Sequence, residues 1–203
     1  MDDTTAHIFW DQSNIFHCAQ STCDDHGVGK ELGHRFDLRL NFQAIYDFVS
    51  LGRKVEKAIA VGSVPPDLQA LWQHLKHAGV NVELQERGQQ SGKEQAVDEA
   101  IQLHMMRSLA DRIESPAVAV VLTGDGGFNE DIYRLLDNGW GVEVLSFSCG
   151  FNPVLRTIGT GHGGRGKYVE LDPWYRHLTY LQDTTGKIIR PSDPLDASNR
   201  YRV

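Results

Sequence analysis

The chain is poor in cysteine, has no long hydrophobic run and carries no excess of basic charge. Its three cysteines, an odd number, do not make the disulfide framework of a secreted domain. No apolar stretch reaches the roughly 18 residues that a membrane span needs. The start, Met1-Asp2-Asp3-Thr4-Thr5, is acidic and polar where a secretory leader would be basic and then apolar. A cytoplasmic protein with no membrane partner is expected. The formal charge of −7 argues against a general polyanion binder, although a local basic surface can still meet nucleic acid. No Ser-His-Asp or Cys-His arrangement occurs in a credible order, so no covalent protein nucleophile is implied. No segment repeats, and a homodimer is compatible with this composition.

What is present is enough for one globular domain: 203 residues, 40% of them hydrophobic and 23% charged. Ala6–Trp10 reads as a strand, Asn41–Arg53 as a helix with Phe42, Ile45, Tyr46, Phe48 and Val49 at helical spacing, and Lys57–Val64 as a strand ended by Pro65-Pro66. Asp67–Ala78 then reads as a helix closed by Gly79, Val80–Gln85 as a strand and Gln89–Glu94 as a loop. A long helix follows through about Ile113, with Val97, Ala100, Ile101, His104, Met105 and Leu109 on one face. The continuous apolar run Ala117–Leu122 has the signature of a central parallel strand covered on both sides. Phe128–Asn138 is a helix and Val142–Phe147 a fifth strand. This alternation predicts an α/β fold, a doubly wound, mainly parallel five-stranded sheet flanked by helices in a three-layer sandwich. The domain is expected over 1–182, with a long polar loop over 15–40 and a glycine-rich one over 159–167. A short strand Tyr168–Leu171 and an aromatic helix Trp174–Leu181 follow, and 183–203 reads as a flexible tail.

Strands of a parallel sheet end on one edge, and the helix after a strand begins there. Asp11 follows the first strand, Asp125 follows the run Ala117–Thr123, and Asp98 lies early in the long helix. Three carboxylates on one edge suit a hard divalent ion, Mg²⁺ or Mn²⁺, which activates water and stabilises a leaving oxygen in phosphodiester hydrolysis. An Asp after a strand also serves as the N-cap of the next helix. Crowded carboxylates repel, so replacing one by asparagine is expected to leave the fold intact or more stable.

Trp10-Asp11-Gln12-Ser13-Asn14, Ala96-Val97-Asp98-Glu99-Ala100 and Leu122-Thr123-Gly124-Asp125-Gly126-Gly127-Phe128 resemble, in order and spacing, the three signatures of NYN-domain proteins, a branch of the PIN-like metal-dependent ribonucleases. The resemblance implies a PIN-like fold and hydrolysis of RNA by metal-activated water. Asp11, Asp98 and Asp125 would hold Mg²⁺ or Mn²⁺, and Asn14 would orient a ligand or the scissile phosphate. Ser13 and Thr123 would act as neighbouring hydroxyls. Members of the family usually carry a second acid two positions after the one matched by Asp125, where this chain has Gly127. Glu99, Glu130 or Asp131 could supply that charge; the last two also suit a helix N-terminus. A weakened domain that binds RNA or a protein without cutting is the alternative.

The stretch Gly124–Asp131 also faintly resembles the late acidic motif of haloacid-dehalogenase phosphatases, but Ser13 stands where their general acid is needed. His17, Cys18, Cys23, His26 and His34 could bind zinc, though their spacing matches no finger. His162, Arg165 and Lys167 could make the glycine-rich loop a basic flap over a phosphate backbone, or the loop is a plain connector. Trp174, Tyr175 and Tyr180 could stack bases, but their helical spacing favours burial. His74, His77 and His104 read as ordinary face or core histidines.

Overall fold

The computed structural model describes residues 4–25, 33–64, 69–86, 95–110, 117–196 and 201. The first strand, β1 (Thr5–Asp11), is buried along its whole length, as expected of a strand covered on both faces. It is flanked by β3 (Lys54–Val64) and β5 (Ala117–Leu122), both parallel to it. With β4 (Asn81–Glu86), β6 (Gly141–Ser146) and β7 (Gly166–Glu170) they form one six-stranded parallel sheet of order β4-β3-β1-β5-β6-β7. The sheet therefore has one strand more than expected, because the run after the glycine-rich loop pairs with β6.

Side chains alternate between faces with period two, and the core divides accordingly. Ile8 and Trp10 of β1, with Val120 and Leu122 of β5, pack on one side. There they meet α1 (Gln12–Asp25), α2 (Phe42–Ser50), α3 (Gln69–His77) and the short α6 (Tyr175–Leu178). Phe9, Ala119 and Val121 point to the other side, against α4 (Gln95–Ala110) and α5 (Asn129–Asp137). Burying one such aromatic contributes about 1.5–3 kcal/mol, so Phe9→Ala alone would remove a sizeable part of a typical domain's stability.

Three expectations need correction. The stretch 15–40, expected to be a loop, begins as α1, and its later part ends in β2 (Leu38–Leu40). Ile15, Cys18, Ala19, Thr22 and Cys23 recur at helical spacing and are all buried, so the thiols act as small apolar groups. Cys18 and Cys23 thus lie on a helix and not on a loop; His26 lies outside the described residues. The aromatic helix expected over Trp174–Leu181 is a single turn, α6, that passes into β8 (Thr179–Gln182). Finally, the segment from Asp183, expected to be a tail, turns at Gly186 (φ 86°) into β9 (Ile188–Arg190). The antiparallel sheet β2-β8-β9 that results was not anticipated.

Polar anchors hold this last segment where apolar periodicity is lacking. Buried Arg190 donates to the Thr179 carbonyl at 2.9 Å and to its hydroxyl at 3.0 Å. Buried Tyr201 donates its hydroxyl to Glu143 Oε2 at 2.7 Å, and the same carboxylate receives both guanidinium nitrogens of Arg53 at 3.0 and 2.8 Å. The Gln89–Glu94 loop, the last turn of the long helix beyond Ala110 and Pro65-Pro66 lie outside the described residues.

Candidate active site

Because β1 and β5 run side by side in parallel, with Trp10 opposite Leu122, the next residues, Asp11 and Thr123, meet at the carboxyl edge. The fully buried Thr123 links the two strand ends: its hydroxyl donates to Asp11 Oδ2 at 3.1 Å and accepts the Asp125 N–H at 3.1 Å. Asp11 Oδ1 accepts the Ser13 hydroxyl at 3.2 Å and the Asn14 N–H at 3.1 Å, which caps the start of α1. Asp11 is 5% exposed. Its charge is thus held by a preformed set of donors, and the expectation that asparagine would be harmless there no longer applies.

Asn14 Oδ1 accepts the Gly124 N–H at 2.8 Å, tying α1 to the turn after β5. Gly124 has to be glycine, since a Cβ there would collide with the Gly150 carbonyl oxygen. Asn14 also receives the Cys18 thiol at 3.6 Å. The Cys149 thiol beside it, and then burial, push the Cys18 thiol far above its ordinary range, so it stays neutral. Asp125 is exposed, and its Oδ1 caps the following turn by accepting the Gly127 N–H at 2.8 Å.

Asp98 sits half-buried in the first turn of α4. Gln102, one turn later on the same face, donates to the Gly127 carbonyl at 3.3 Å, so this face of α4 adjoins the Asp125–Gly127 turn. Glu99 is exposed on α4. Glu130 and Asp131 lie in the first turn of α5, paired with Arg134 at 3.8 and 3.3 Å. Burial raises the Asp131 carboxyl above its usual range.

The structure separates Arg165 and Lys167 from these residues. A chain that returns to start another parallel strand must travel back to the amino edge. Gly166 accordingly pairs with Val142 at the beginning of β6, and Arg165 donates to the Leu136 carbonyl at 3.1 Å. His162 sits against Asp137 at 3.0 Å. The loop is a connector at the end of the sheet opposite Asp11, not a flap over it.

Among the described residues no three His, Cys, Asp or Glu side chains are gathered as a ready-made ligand set. Mg²⁺ is nevertheless commonly held by one or two carboxylates, with water and substrate phosphate completing its shell. The carboxylate of Asp11, and that of Asp125, whose backbone N–H bonds to the same Thr123 hydroxyl, are oxygen donors that fit that pattern in kind. Two side chains that sequence reasoning passed over also stand here: Gln12, beside Asp11, and Trp72 of α3. No helix among the described residues is long and apolar enough to cross a membrane.

Comparison with known proteins adds the lineage. No curated protein matches the chain significantly. A protein of unknown function, VPA0982 from Vibrio parahaemolyticus, is similar in structure with a TM-score of 0.63 and 15% sequence identity, over 84% of this chain and 95% of that one. That likeness concerns the fold alone. A methionine aminotransferase, YbdL from Escherichia coli, aligns over 82% of this chain and 47% of that one, at 11% identity and a TM-score of 0.27, too low to indicate a shared fold. The profile of the NYN domain matches residues 5–157, a span that holds β1, α4, β5 and every aspartate of the site, and on this the chain belongs to the NYN domain family of PIN-like nucleases.

Proposed function

We propose that the protein is an endoribonuclease that hydrolyses RNA phosphodiester bonds with Mg²⁺ or Mn²⁺. The observation that carries this reading is the Thr123 hydroxyl that joins Asp11 Oδ2 to the Asp125 backbone N–H at the carboxyl edge, with Asn14 beside it. Asp11 and Asp125, with Asp98 alongside, would hold the ion, which when bound supplies the acidity that makes water a nucleophile and the positive charge that steadies a leaving oxygen. The remaining work falls to the chain itself. Ser13, the Asn14 N–H and Thr123 fix both oxygens of Asp11, so no reorganisation is needed when substrate arrives. With its Oδ1 committed to Gly124, Asn14 presents Nδ2 as a donor to a phosphate oxygen.

Gly127 favours a second reading, in which the domain binds RNA without cutting it, because no acid stands at that position. The experiment is incubation of end-labelled single-stranded RNA with the protein in Mn²⁺, in Mg²⁺ and in excess chelator, beside Asp125→Asn. Cleavage lost with the metal and with Asp125→Asn supports the nuclease. Binding without metal-dependent cleavage supports the second reading, and cleavage that survives Asp125→Asn removes the proposed centre altogether.

A further inference from the structure

Beside Asp11 opens a pocket of about 860 Å³, bounded by α1, α3, β3 and the small sheet. Its walls carry the rings of Phe16, Phe42, Trp72 and Tyr180, with Arg39 among the lining residues. Two polar atoms of the lining are unmatched: Gln12 Oε1, an acceptor, and Trp72 Nε1, a donor, are buried without a hydrogen-bond partner among the described residues. Gln12 is 4% exposed and Trp72 6%. Buried polar groups are ordinarily satisfied, and an unmet acceptor and donor on two residues that line one aromatic cleft point to a ligand that brings the complement. Trp72 is held as a wall because Gly62 of β3 has no Cβ, which would collide with its ring.

We propose that this pocket receives one nucleobase. A base has flat faces for the rings, and its edge sets donors next to acceptors, as Gln12 and Trp72 require. The Arg39 guanidinium is anchored through Nη1 to the Phe36 and Leu38 carbonyls at 2.8 and 2.7 Å, so its positive charge stays by the pocket, where a sugar-phosphate would lie. Ser13 lines the same pocket and donates to Asp11 Oδ1 at 3.2 Å. A base seated there therefore has its own phosphodiester next to the carboxylates. The inference rests on the ribonuclease reading and extends it: the substrate is a strand with at least one unpaired base beside the cut, because a base within a duplex cannot enter a cleft.

The test uses the full chain carrying Asp125→Asn, which keeps the strand intact. Single-stranded RNA octamers with one abasic site at successive positions are titrated by anisotropy, and the four nucleoside monophosphates by tryptophan fluorescence. One abasic position is expected to weaken binding roughly tenfold while the others change little. Trp72→Phe and Gln12→Met should each remove that positional dependence. Gln12→Met deletes an unmatched buried polar atom at nearly constant volume, so its melting temperature should equal or exceed that of the parent, whereas Trp72→Phe also gives up buried ring area and should melt lower while staying folded. Equal binding by every abasic octamer, with no mononucleotide effect on fluorescence, overturns the pocket. Saturable binding of mononucleotides that octamers cannot displace assigns the base to a free nucleotide and overturns the strand as occupant. In the protein with Asp125 restored, Mn²⁺-dependent cleavage indifferent to every abasic site leaves the nuclease standing without the pocket. One sensitive abasic position without cleavage leaves the pocket standing without the nuclease.

Discussion

Asp11→Asn separates a carboxylate that is built into the fold from one that merely stands near others. The side chain is 5% exposed and accepts the Ser13 hydroxyl, the Asn14 N–H and the Thr123 hydroxyl. An asparagine must place its NH₂ on one side or the other. Where Oδ1 was, two N–H donors would face each other; where Oδ2 was, the Thr123 proton loses its acceptor. One or two charge-assisted bonds disappear in either case, at about 1.5–3 kcal/mol each. With roughly 2–4 °C per kcal/mol for a domain of this size, the melting temperature should fall by about 3–12 °C for each bond lost. Asp125→Asn is the matched comparison. That residue is exposed, and its cap to the Gly127 N–H is one asparagine also makes, so its melt should stay within about 2 °C of the parent. Both variants should lose RNA cleavage. The measurement is thermal unfolding by circular dichroism at neutral pH in chelator. An Asp11→Asn protein that melts at or above the parent would show that repulsion among carboxylates outweighs the donors around Asp11, and the structural reasoning would be wrong.

Cleavage should require Mg²⁺ or Mn²⁺ and should not be restored by Ca²⁺, whose larger and looser shell aligns water poorly; rates measured across the three ions in metal-stripped protein decide it. Gly127→Asp should fold normally, because its backbone is not left-handed and an added Cβ meets only the Asp125 carboxyl group, with Oδ1 at 3.4 Å and Cγ at 3.8 Å. It should tighten Mn²⁺ binding about tenfold by calorimetric titration, and unchanged affinity would mean that position 127 does not face the ion. Tyr201→Phe deprives the buried Glu143 carboxylate of one of its hydrogen bonds, so it should lower stability by about 1.5–3 kcal/mol in urea unfolding. A melt unchanged from the parent would show that Arg53 alone satisfies the acid. Asp131→Asn should raise the melting temperature slightly at neutral pH. Burial raises the folded carboxyl's pKa, so its charge destabilises the fold above that value, and the gain should vanish as acid protonates Asp131 in both states.

β5 was legible in the sequence because a strand covered on both faces must be apolar throughout, and Ala117–Leu122 is. The placement of Asp11 and Asp125 at one edge was legible for a related reason: a parallel sheet collects whatever follows its strands, whereas Asn14 was marked only by the resemblance to NYN domains. The helix α1 was hidden, since two of its buried positions are cysteines and one is a threonine, which a count of aliphatic residues passes over. The small sheet was hidden differently: β2 and β9 have three residues each, too few for a period of two to declare itself. Arg165 and Lys167 were misplaced although the information was present, because residues just before a parallel strand belong to its amino edge. Gln12 and Trp72 carried no signal at all. A glutamine and a tryptophan become conspicuous only when their polar atoms prove to be buried and unmatched.

The hydrogen bond between Thr123 and Asp11 joins residues 112 positions apart. Closing so long a stretch of chain is entropically costly, and nearer pairings such as β3 with β4 form against a smaller barrier. The order of events during folding then bears on chemistry. A chain in which β1 has found β3 but not β5 already holds Asp11, yet lacks both the hydroxyl that orients it and the second carboxylate. Such a chain has the first carboxylate in place without the groups that orient it, so the site is complete only in the native topology.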